Sequence, residues 1–174
     1  MLNKKINLLL IVMLAFSIVG VASALDKDKI KVKNFTLKDY NNKNVSLTDF
    51  KESNAVVVMF VSTRCPVSNA YNSRMVNLHE HYSEKGVTFL AINSNKQENI
   101  SEIKKHAMEN DFRFHVLKDF ENKLADTFEA SVTPEVYVLN SSNHVLYHGR
   151  IDDSRRVNDV ESFDLKLALN EILA

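Results

Sequence analysis

The chain has 174 residues, in which 22 Lys+Arg balance 22 Asp+Glu, with a single Cys and no Trp. This length suits one globular domain, and a composition of 45% apolar and 25% charged residues is that of a folded protein. Zero net charge argues against a nucleic-acid-binding protein, because such proteins usually carry a basic excess. One cysteine excludes an internal disulfide and a cysteine-rich zinc site, so any redox chemistry must use one sulfur atom.

Residues 1–24 have the three parts of a secretory signal peptide. Lys4 and Lys5 form a basic head, an apolar run covers residues 6–21, and Ala22-Ser23-Ala24 provides small residues for cleavage. An uncleaved membrane anchor is the alternative, although the run is just short of the roughly 20 residues that a span needs. We expect cleavage, which leaves an exported chain of residues 25–174, periplasmic or secreted and without a membrane segment.

In chain order, the mature sequence predicts a β-hairpin, alternating strands and helices, a second hairpin and a last helix. Residues 35–47 alternate around a polar turn, which is typical of a hairpin. Residues 55–61 and 87–92 are almost uniformly apolar and predict buried strands. Between them, apolar residues at helical spacing predict one helix over 67–85, ended by Gly86. The remaining predictions are a helix carrying Ile100, Ile103 and Ala107, a strand around 116–117, a short helix with Leu124 and Phe128, strands 135–139 and 144–148, and a helix with Leu165, Ala168, Leu169 and Ile172.

These elements predict an α/β fold in one domain, with a mixed sheet covered by helices on both faces. Cys65 lies where the first buried strand passes into a helix, and Pro66 suits the opening helical position. A thiolate there faces free backbone N–H groups and the positive end of the helix dipole, which predicts a pKa below the usual value of about 8.5. Ser62 and Ser68, three residues to either side, are placed to donate hydroxyl hydrogen bonds to the sulfur. The alternative is an inert cysteine that packs in the core.

A second signal is Thr133-Pro134, immediately before a predicted strand, where an X-Pro bond can be cis. Together these features resemble the thioredoxin-like superfamily, in particular exported redoxins of the peroxiredoxin-like AhpC/TSA branch. The resemblance covers roughly residues 30–173 and rests on the hairpin at 35–47, the strand ending at Phe60, Thr63-Arg64-Cys65-Pro66, the segments 91–95 and 147–153, and Thr133-Pro134. It implies a thioredoxin-like three-layer α/β/α fold in which Cys65 is the attacking cysteine, Pro134 is a cis-proline beside it, and Thr63, Thr133 and Pro134 bind substrate.

The sequence also differs from the patterns of these families at several positions. Ser68 stands where a dithiol protein has its second cysteine, and Val58 stands where peroxiredoxins have a proline, although the Ser62 hydroxyl matches their threonine. The peroxide-holding arginine of peroxiredoxins has no local motif; Arg150 is the first candidate and Arg74 the second. The predicted catalytic set is therefore Cys65, Ser62, Ser68 and Arg150.

Three functional hypotheses follow from these residues. The first is an exported single-cysteine thiol–disulfide oxidoreductase or peroxidase, which uses no cofactor and depends on a small thiol or a redox partner protein to complete its cycle. The second is a redox-inactive binding module. The third is a metal carrier, because some exported relatives of the fold bind copper; however, Cys65 is alone and His79 and His81 point to different helical faces, so we expect no metal.

Overall fold

The computed structural model describes residues 30–174, so the signal-peptide prediction lies outside the described residues. Seven strands form one sheet in the order β2-β1-β5-β4-β3-β6-β7. Neighbours β3–β4 and β4–β5 are parallel, whereas the other neighbouring pairs with a defined register are antiparallel. The strands are β1 Thr36–Asp39, β2 Asn44–Ser46, β3 Ala55–Phe60, β4 Val87–Asn93, β5 His115–Lys118, β6 Glu135–Leu139 and β7 Val145–Gly149.

Helices cover both faces of the sheet, which confirms the predicted mixed α/β architecture. Apolar residues of α2, α3 and α5 share one core cluster, and those of α4 belong to the cluster on the opposite face. None of these helices has the length and apolar character of a membrane-spanning segment. The helices are α1 Pro66–Asn69, α2 Asn72–Ser83, α3 Ile100–Glu109, α4 Lys123–Phe128 and α5 Asp164–Ile172, with short 3-10 turns at Leu47–Phe50, Phe120–Asn122 and Val157–Asp159.

Strand β3 is the centre of the molecule, and all six of its residues are buried. Val57 and Met59 contribute to the core cluster under α2, α3 and α5, whereas Val58 and Phe60 contribute to the other cluster. Successive side chains of a strand point to opposite faces, so a strand covered on both sides must be apolar throughout. This requirement explains the uninterrupted apolar run that predicted the strand.

The topology brings three chain segments to one edge of the sheet. Because β3 and β4 are parallel, the loops that follow both strands leave from the same edge. Strand β6 is antiparallel to β3, and its first residue, Glu135, pairs with Phe60 at the end of β3. The segments after Phe60, after Asn93 and before Glu135 therefore meet there.

The single helix predicted over residues 67–85 is wrong, because the structure has two helices with a break at Ala70 and Tyr71. The Tyr71 N–H donates to the Ser68 carbonyl, three residues back, at 3.0 Å. The Ala70 carbonyl accepts a hydrogen bond from Nη2 of the Arg74 side chain, also at 3.0 Å. This side-chain bond takes the acceptor that a continuous α-helix would use. The second helix ends just before Gly86, which has the positive φ of a helix stop, as predicted.

Candidate functional site

Cys65 is the N-cap residue of the one-turn helix α1 and is only partly buried. Its Sγ accepts a hydrogen bond from the Ser68 backbone N–H at 3.5 Å. On the opposite side, Sγ lies 3.8 Å from the Thr133 carbonyl oxygen, to which a thiol can donate. The sulfur therefore faces a helix N-terminus on one side and a backbone carbonyl on the other.

Competing contributions set the ionisation of this sulfur, and the pKa of Cys65 is lowered overall. Burial raises the pKa, but hydrogen bonding with the Thr133 side chain and with the backbone N–H groups of Ser68 and Val67 lowers it by more. The negative charge of Glu98 makes a small contribution that raises it. The direction agrees with the expectation for a thiol at a helix N-terminus.

The segment opposite the sulfur leads directly into strand β6. The Thr133–Pro134 peptide bond is cis, and β6 begins at the next residue. Because β6 pairs with β3, this short segment lies next to the loop that follows β3. The pairing of the two strands thus places the Thr133 carbonyl beside Cys65.

A buried carboxylate, Glu98, holds the loop that carries Cys65. The side chain is only 1% exposed, and both of its oxygens accept hydrogen bonds from the segments that follow β3 and β4. Burial alone would raise its pKa, but these donors outweigh burial and bring the pKa from 4.5 down to about 2. The donors are Ser62 Oγ at 2.5 Å, Thr63 N at 2.7 Å, Arg64 N at 3.2 Å, Asn93 Nδ2 at 2.5 Å and Asn95 Nδ2 at 3.0 Å.

The hydrogen bonds continue on both sides of Glu98. Lys118, 4% exposed, donates from Nζ to Asn93 Oδ1 at 3.1 Å, so the Asn93 amide bridges a buried ammonium and a buried carboxylate. At the other end, the Ser62 oxygen that donates to Glu98 accepts from the Cys65 backbone N–H at 3.1 Å. A continuous chain of hydrogen bonds therefore runs from Lys118 to the backbone of Cys65.

Two residues of helix α3, four and eight positions after Glu98, also contact the loop that carries Cys65. Glu102 forms a two-point ion pair with the Arg64 guanidinium, at 2.6 and 2.8 Å. His106 Nε2 lies 2.9 Å from Asn69 Oδ1, and the Asn69 amide donates to the Thr63 carbonyl at 2.8 Å. Residues four apart lie on one helical face, so a polar stripe along α3 and its lead-in holds the whole segment 62–69.

A second buried carboxylate, Glu135, holds the segment on the other side of the sulfur. Its Oε2 accepts from the backbone N–H groups of Ser131 at 2.8 Å and Val132 at 3.1 Å. Its Oε1 accepts from the Tyr137 hydroxyl at 3.0 Å and lies 2.7 Å from His148 Nε2. Burial raises the pKa of Glu135, and these partners lower it overall. One buried glutamate thus anchors each of the two segments that flank Cys65.

A cleft of about 300 Å³ opens beside the sulfur. Every side chain that lines it within residues 30–174 is uncharged, apart from the ionisable thiol itself. The apolar walls come from Phe60, Val61, Ile92, Ala125, Ala130 and Val132, and the polar ones from Ser62, Ser94, Asn95, Asn122, Ser131 and Thr133.

The structure brings most of the predicted site residues together, but two hydroxyl groups have different partners from those expected. The Ser62 hydroxyl donates to Glu98 instead of to the sulfur, because a buried carboxylate is the stronger acceptor. The Ser68 hydroxyl accepts from the Ser62 backbone N–H at 3.1 Å, and Ser68 reaches the sulfur through its backbone N–H. Thr63 contributes backbone groups, which bond to Glu98 and Asn69.

The two candidate arginines do not line the cleft beside Cys65. Arg150 pairs with Asp164, with Nε and Oδ2 2.5 Å apart, and lines a separate groove that includes Pro134. Arg74 binds the buried Asp152 with 2.6 Å contacts, and its guanidinium lies 3.8 Å above the Tyr71 ring centre. Each guanidinium is drawn to a nearby carboxylate instead of to the sulfur.

The described residues give no support to the metal-carrier hypothesis. In residues 30–174, no cluster of three or more His, Cys, Asp or Glu side chains is arranged to hold a metal ion. The His79 ring packs edge-on against Phe89 and Phe114, whereas His81 packs against Tyr82. The two histidines therefore have separate surroundings.

Similar proteins share both the sequence pattern and the architecture of this chain. The model of the AhpC/TSA family matches residues 29–148. The thiol-disulfide oxidoreductase ResA of Bacillus subtilis is 27% identical over 115 residues, which cover 65% of this chain and 62% of that protein. The thiol-disulfide oxidoreductase ResA of Bacillus cereus is 26% identical over 125 residues, covering 70% of each chain. The match therefore spans less than two thirds of the Bacillus subtilis relative.

Solved structures with a similar architecture come from several bacteria. An uncharacterized conserved protein from Geobacillus kaustophilus is 31% identical, with a TM-score of 0.78 over 83% of this chain and 81% of that one. A hypothetical protein from Sinorhizobium meliloti 1021 is 28% identical, with a TM-score of 0.79 over 84% of each chain. A thiol:disulfide interchange protein of the thioredoxin family from Chlorobium tepidum TLS shares the fold at 19% identity, with a TM-score of 0.69 over 86% of this chain and 99% of that one. The chain has a thioredoxin-like fold and belongs to the AhpC/TSA family.

Proposed function

We propose that this protein is an exported thiol–disulfide oxidoreductase that works with one cysteine, Cys65. The Cys65 thiolate attacks one sulfur of a substrate disulfide, the substrate S–S bond breaks, and the other sulfur leaves as a thiolate. Cys65 is oxidised to a mixed disulfide while the leaving sulfur is reduced. Because Ser68 replaces a second cysteine, an external thiolate must attack the substrate sulfur of that mixed disulfide, which releases Cys65 as a thiolate again.

The observation that carries this proposal is the position of the Cys65 sulfur. It accepts from the Ser68 N–H at 3.5 Å, lies opposite the Thr133 carbonyl and remains partly exposed, with a lowered pKa. A thiolate is the nucleophile in disulfide exchange, and a partly exposed thiolate at a helix N-terminus is typical of a reactive cysteine. An inert core cysteine would have neither the donor nor the exposure.

The surface around the sulfur is suited to a redox partner protein. Val67, 41% exposed, follows Cys65 on α1, and Val132, 61% exposed, lies next to Thr133 on the opposite segment. Exposed apolar side chains beside a reactive group are typical of a contact surface. A partner can therefore cover the sulfur while its disulfide enters the cleft.

The positions of the two candidate arginines favour disulfide exchange over peroxide reduction. The resemblance to peroxiredoxins implies an arginine that helps hold peroxide, but Arg150 and Arg74 are engaged with Asp164 and Asp152. The Bacillus relatives are also named as thiol-disulfide oxidoreductases. We therefore assign a disulfide as the substrate of Cys65.

The test is a reaction of the reduced protein with the uncharged probe 4,4′-dithiodipyridine, followed by absorbance and by mass spectrometry from pH 5 to 10. We expect a mixed disulfide at Cys65 in the wild type and none in Cys65→Ser, with a midpoint of the pH–rate profile below about 8.5. A midpoint at or above 8.5, with a rate no higher than that of a free cysteine thiolate, would instead support the redox-inactive binding module. A parallel reaction with hydrogen peroxide and a sulfenic-acid trap tests peroxidase activity, which we expect to be the slower reaction.

Export is proposed from residues 1–24 and needs a separate measurement. The full chain is expressed in a bacterial host, and the protein recovered from the periplasm or medium is sequenced from its N-terminus. A start at Leu25 supports cleavage after Ala24. Recovery of the intact chain in the membrane fraction would support the anchor alternative.

A further inference from the structure

We propose that Cys65 prefers disulfides whose substituents next to the attacked sulfur are uncharged. Neutral disulfides are then good substrates, and charged small disulfides such as glutathione disulfide are poor ones. This inference rests on the proposed disulfide exchange and narrows its substrate class. It starts from the cleft of about 300 Å³ beside the sulfur, whose described lining residues include no Asp, Glu, Lys, Arg or His. A cleft of this volume can hold the small groups bonded to the two sulfur atoms of a disulfide.

Three polar side chains of the cleft wall are already engaged with carboxylates inside the protein. The Ser62 hydroxyl and the Asn95 amide donate to Glu98, and the Ser94 hydroxyl donates to Asp119 at 2.8 Å. A carboxylate of a bound substrate would therefore have to compete with buried carboxylates for these donors. A bound ammonium would meet no anion on the described lining other than the Cys65 thiolate itself. Placing an unpaired charge in such a site is costly, whereas hydroxyl and aliphatic groups carry no comparable penalty.

Two cationic groups near the cleft have partners within the protein. Behind the wall, the Asn93 amide bridges Glu98 and Lys118, so this pair presents no net charge to the cleft. Arg64, next to Cys65, is held by the two-point ion pair with Glu102. Lys118 and Arg64 are thus already engaged and are not free to bind the carboxylates of glutathione.

Charged side chains are present on the other side of Val132, in the groove lined by Pro134. That groove includes Glu135, Arg150 and Asp164, and its volume is about 720 Å³. The restriction to neutral groups therefore applies to the substituents next to the reacting sulfur. A partner protein with charges elsewhere on its surface is still accommodated.

The experiment compares three disulfides at fixed pH and ionic strength: bis(2-hydroxyethyl) disulfide, which is neutral, glutathione disulfide, which is acidic, and cystamine, which is cationic. Rates of mixed-disulfide formation at Cys65 are divided by the rates of the same disulfides with N-acetylcysteine amide, at equal thiolate concentration. This division removes the intrinsic reactivity of each disulfide. We expect the neutral disulfide to be preferred over each charged one by at least about tenfold, equivalent to about 1.4 kcal/mol.

A charge placed on the cleft wall tests the cause. Ser131 is exposed, lines the cleft and has no side-chain role in holding Glu135, to which only its backbone N–H donates. Ser131→Lys should improve the relative rate with glutathione disulfide several-fold, whereas the matched neutral variant Ser131→Gln should not.

Normalised rates that are equal within about twofold, or an unchanged selectivity in Ser131→Lys, would overturn the inference and leave the proposed function intact. The absence of a mixed disulfide with all three reagents, while the urea-unfolded protein reacts, would overturn the proposed disulfide exchange itself.

Discussion

Replacement of Glu98 by Gln is the sharpest test of how the loop that carries Cys65 is held. In the folded protein, hydrogen bonds outweigh burial and bring the pKa of Glu98 from 4.5 to about 2. A difference of this size corresponds to about 3 kcal/mol of folding free energy, at about 1.4 kcal/mol per pKa unit. Because the folded-state pKa is the lower one, this stabilisation is present above pH 4.5 and is lost as the pH falls toward 2.

The assay is urea denaturation of the wild type and Glu98→Gln at several pH values. We expect the variant to be less stable by about 3 kcal/mol at pH 7, and the difference to fall to less than half of that at pH 3, where only the wild type has a carboxylate to protonate. A difference below about 1 kcal/mol at pH 7, or one that does not change with pH, would refute the role assigned to this carboxylate.

Glu102→Gln is the matched control. Glu102 lies one helical turn after Glu98 and also contacts Arg64, but it pairs with an exposed guanidinium and not with buried donors. Exposed ion pairs contribute little and are screened by salt. The control should therefore change stability much less than Glu98→Gln, and its effect should decrease in high salt.

Two further predictions concern ion pairs outside the cleft. Arg74→Met leaves Asp152, 2% exposed, without its partner, which should cost about 3–5 kcal/mol in urea denaturation. The disulfide-exchange rate of Cys65 should stay within about twofold of the wild type; a much slower exchange would show that Arg74 supports the reaction at Cys65. His148→Phe keeps an aromatic ring but removes a hydrogen bond that lowers the pKa of Glu135, so this pKa, followed by NMR, should rise and the associated stability should be lost at a higher pH; an unchanged pKa would contradict the role of His148.

Local sequence patterns were sufficient to predict the strands and the position of the sulfur. The apolar run at Ala55–Phe60 has the composition that a strand buried on both faces requires, and the structure has that strand. Pro66 marks the first residue of α1, which makes Cys65 its N-cap. These features depend on neighbouring residues alone, so the sequence contains the information that they need.

The buried carboxylates could not be predicted in the same way. Glu98 follows a polar segment and would ordinarily face solvent; it is buried because backbone donors about 35 residues earlier in the chain converge on it. That convergence is a property of the sheet order, which pairs β3 with β4. The available signal was the four-residue spacing of Glu98, Glu102 and His106, a polar stripe beside the apolar face of α3.

The break between α1 and α2 has a similar origin. The apolar spacing over residues 67–85 is continuous, and it predicted one helix. At the break, the Ala70 carbonyl accepts from the Arg74 side chain, which also binds the distant Asp152. A competitor for a backbone acceptor that is fixed by a residue 78 positions away cannot be recognised from helical periodicity.

The contributions to the Cys65 pKa show what the buried carboxylate does for the site. The negative charge of Glu98 raises the pKa of Cys65, so this charge opposes formation of the thiolate. Glu98 therefore does not activate the sulfur electrostatically. Its hydrogen bonds to Ser62 and to the backbone of Thr63 fix the loop that enters α1, and a fixed loop keeps the Ser68 N–H directed at the sulfur. The gain from this geometry exceeds the electrostatic cost, because the Ser68 N–H lowers the pKa of Cys65 by more than the Glu98 charge raises it.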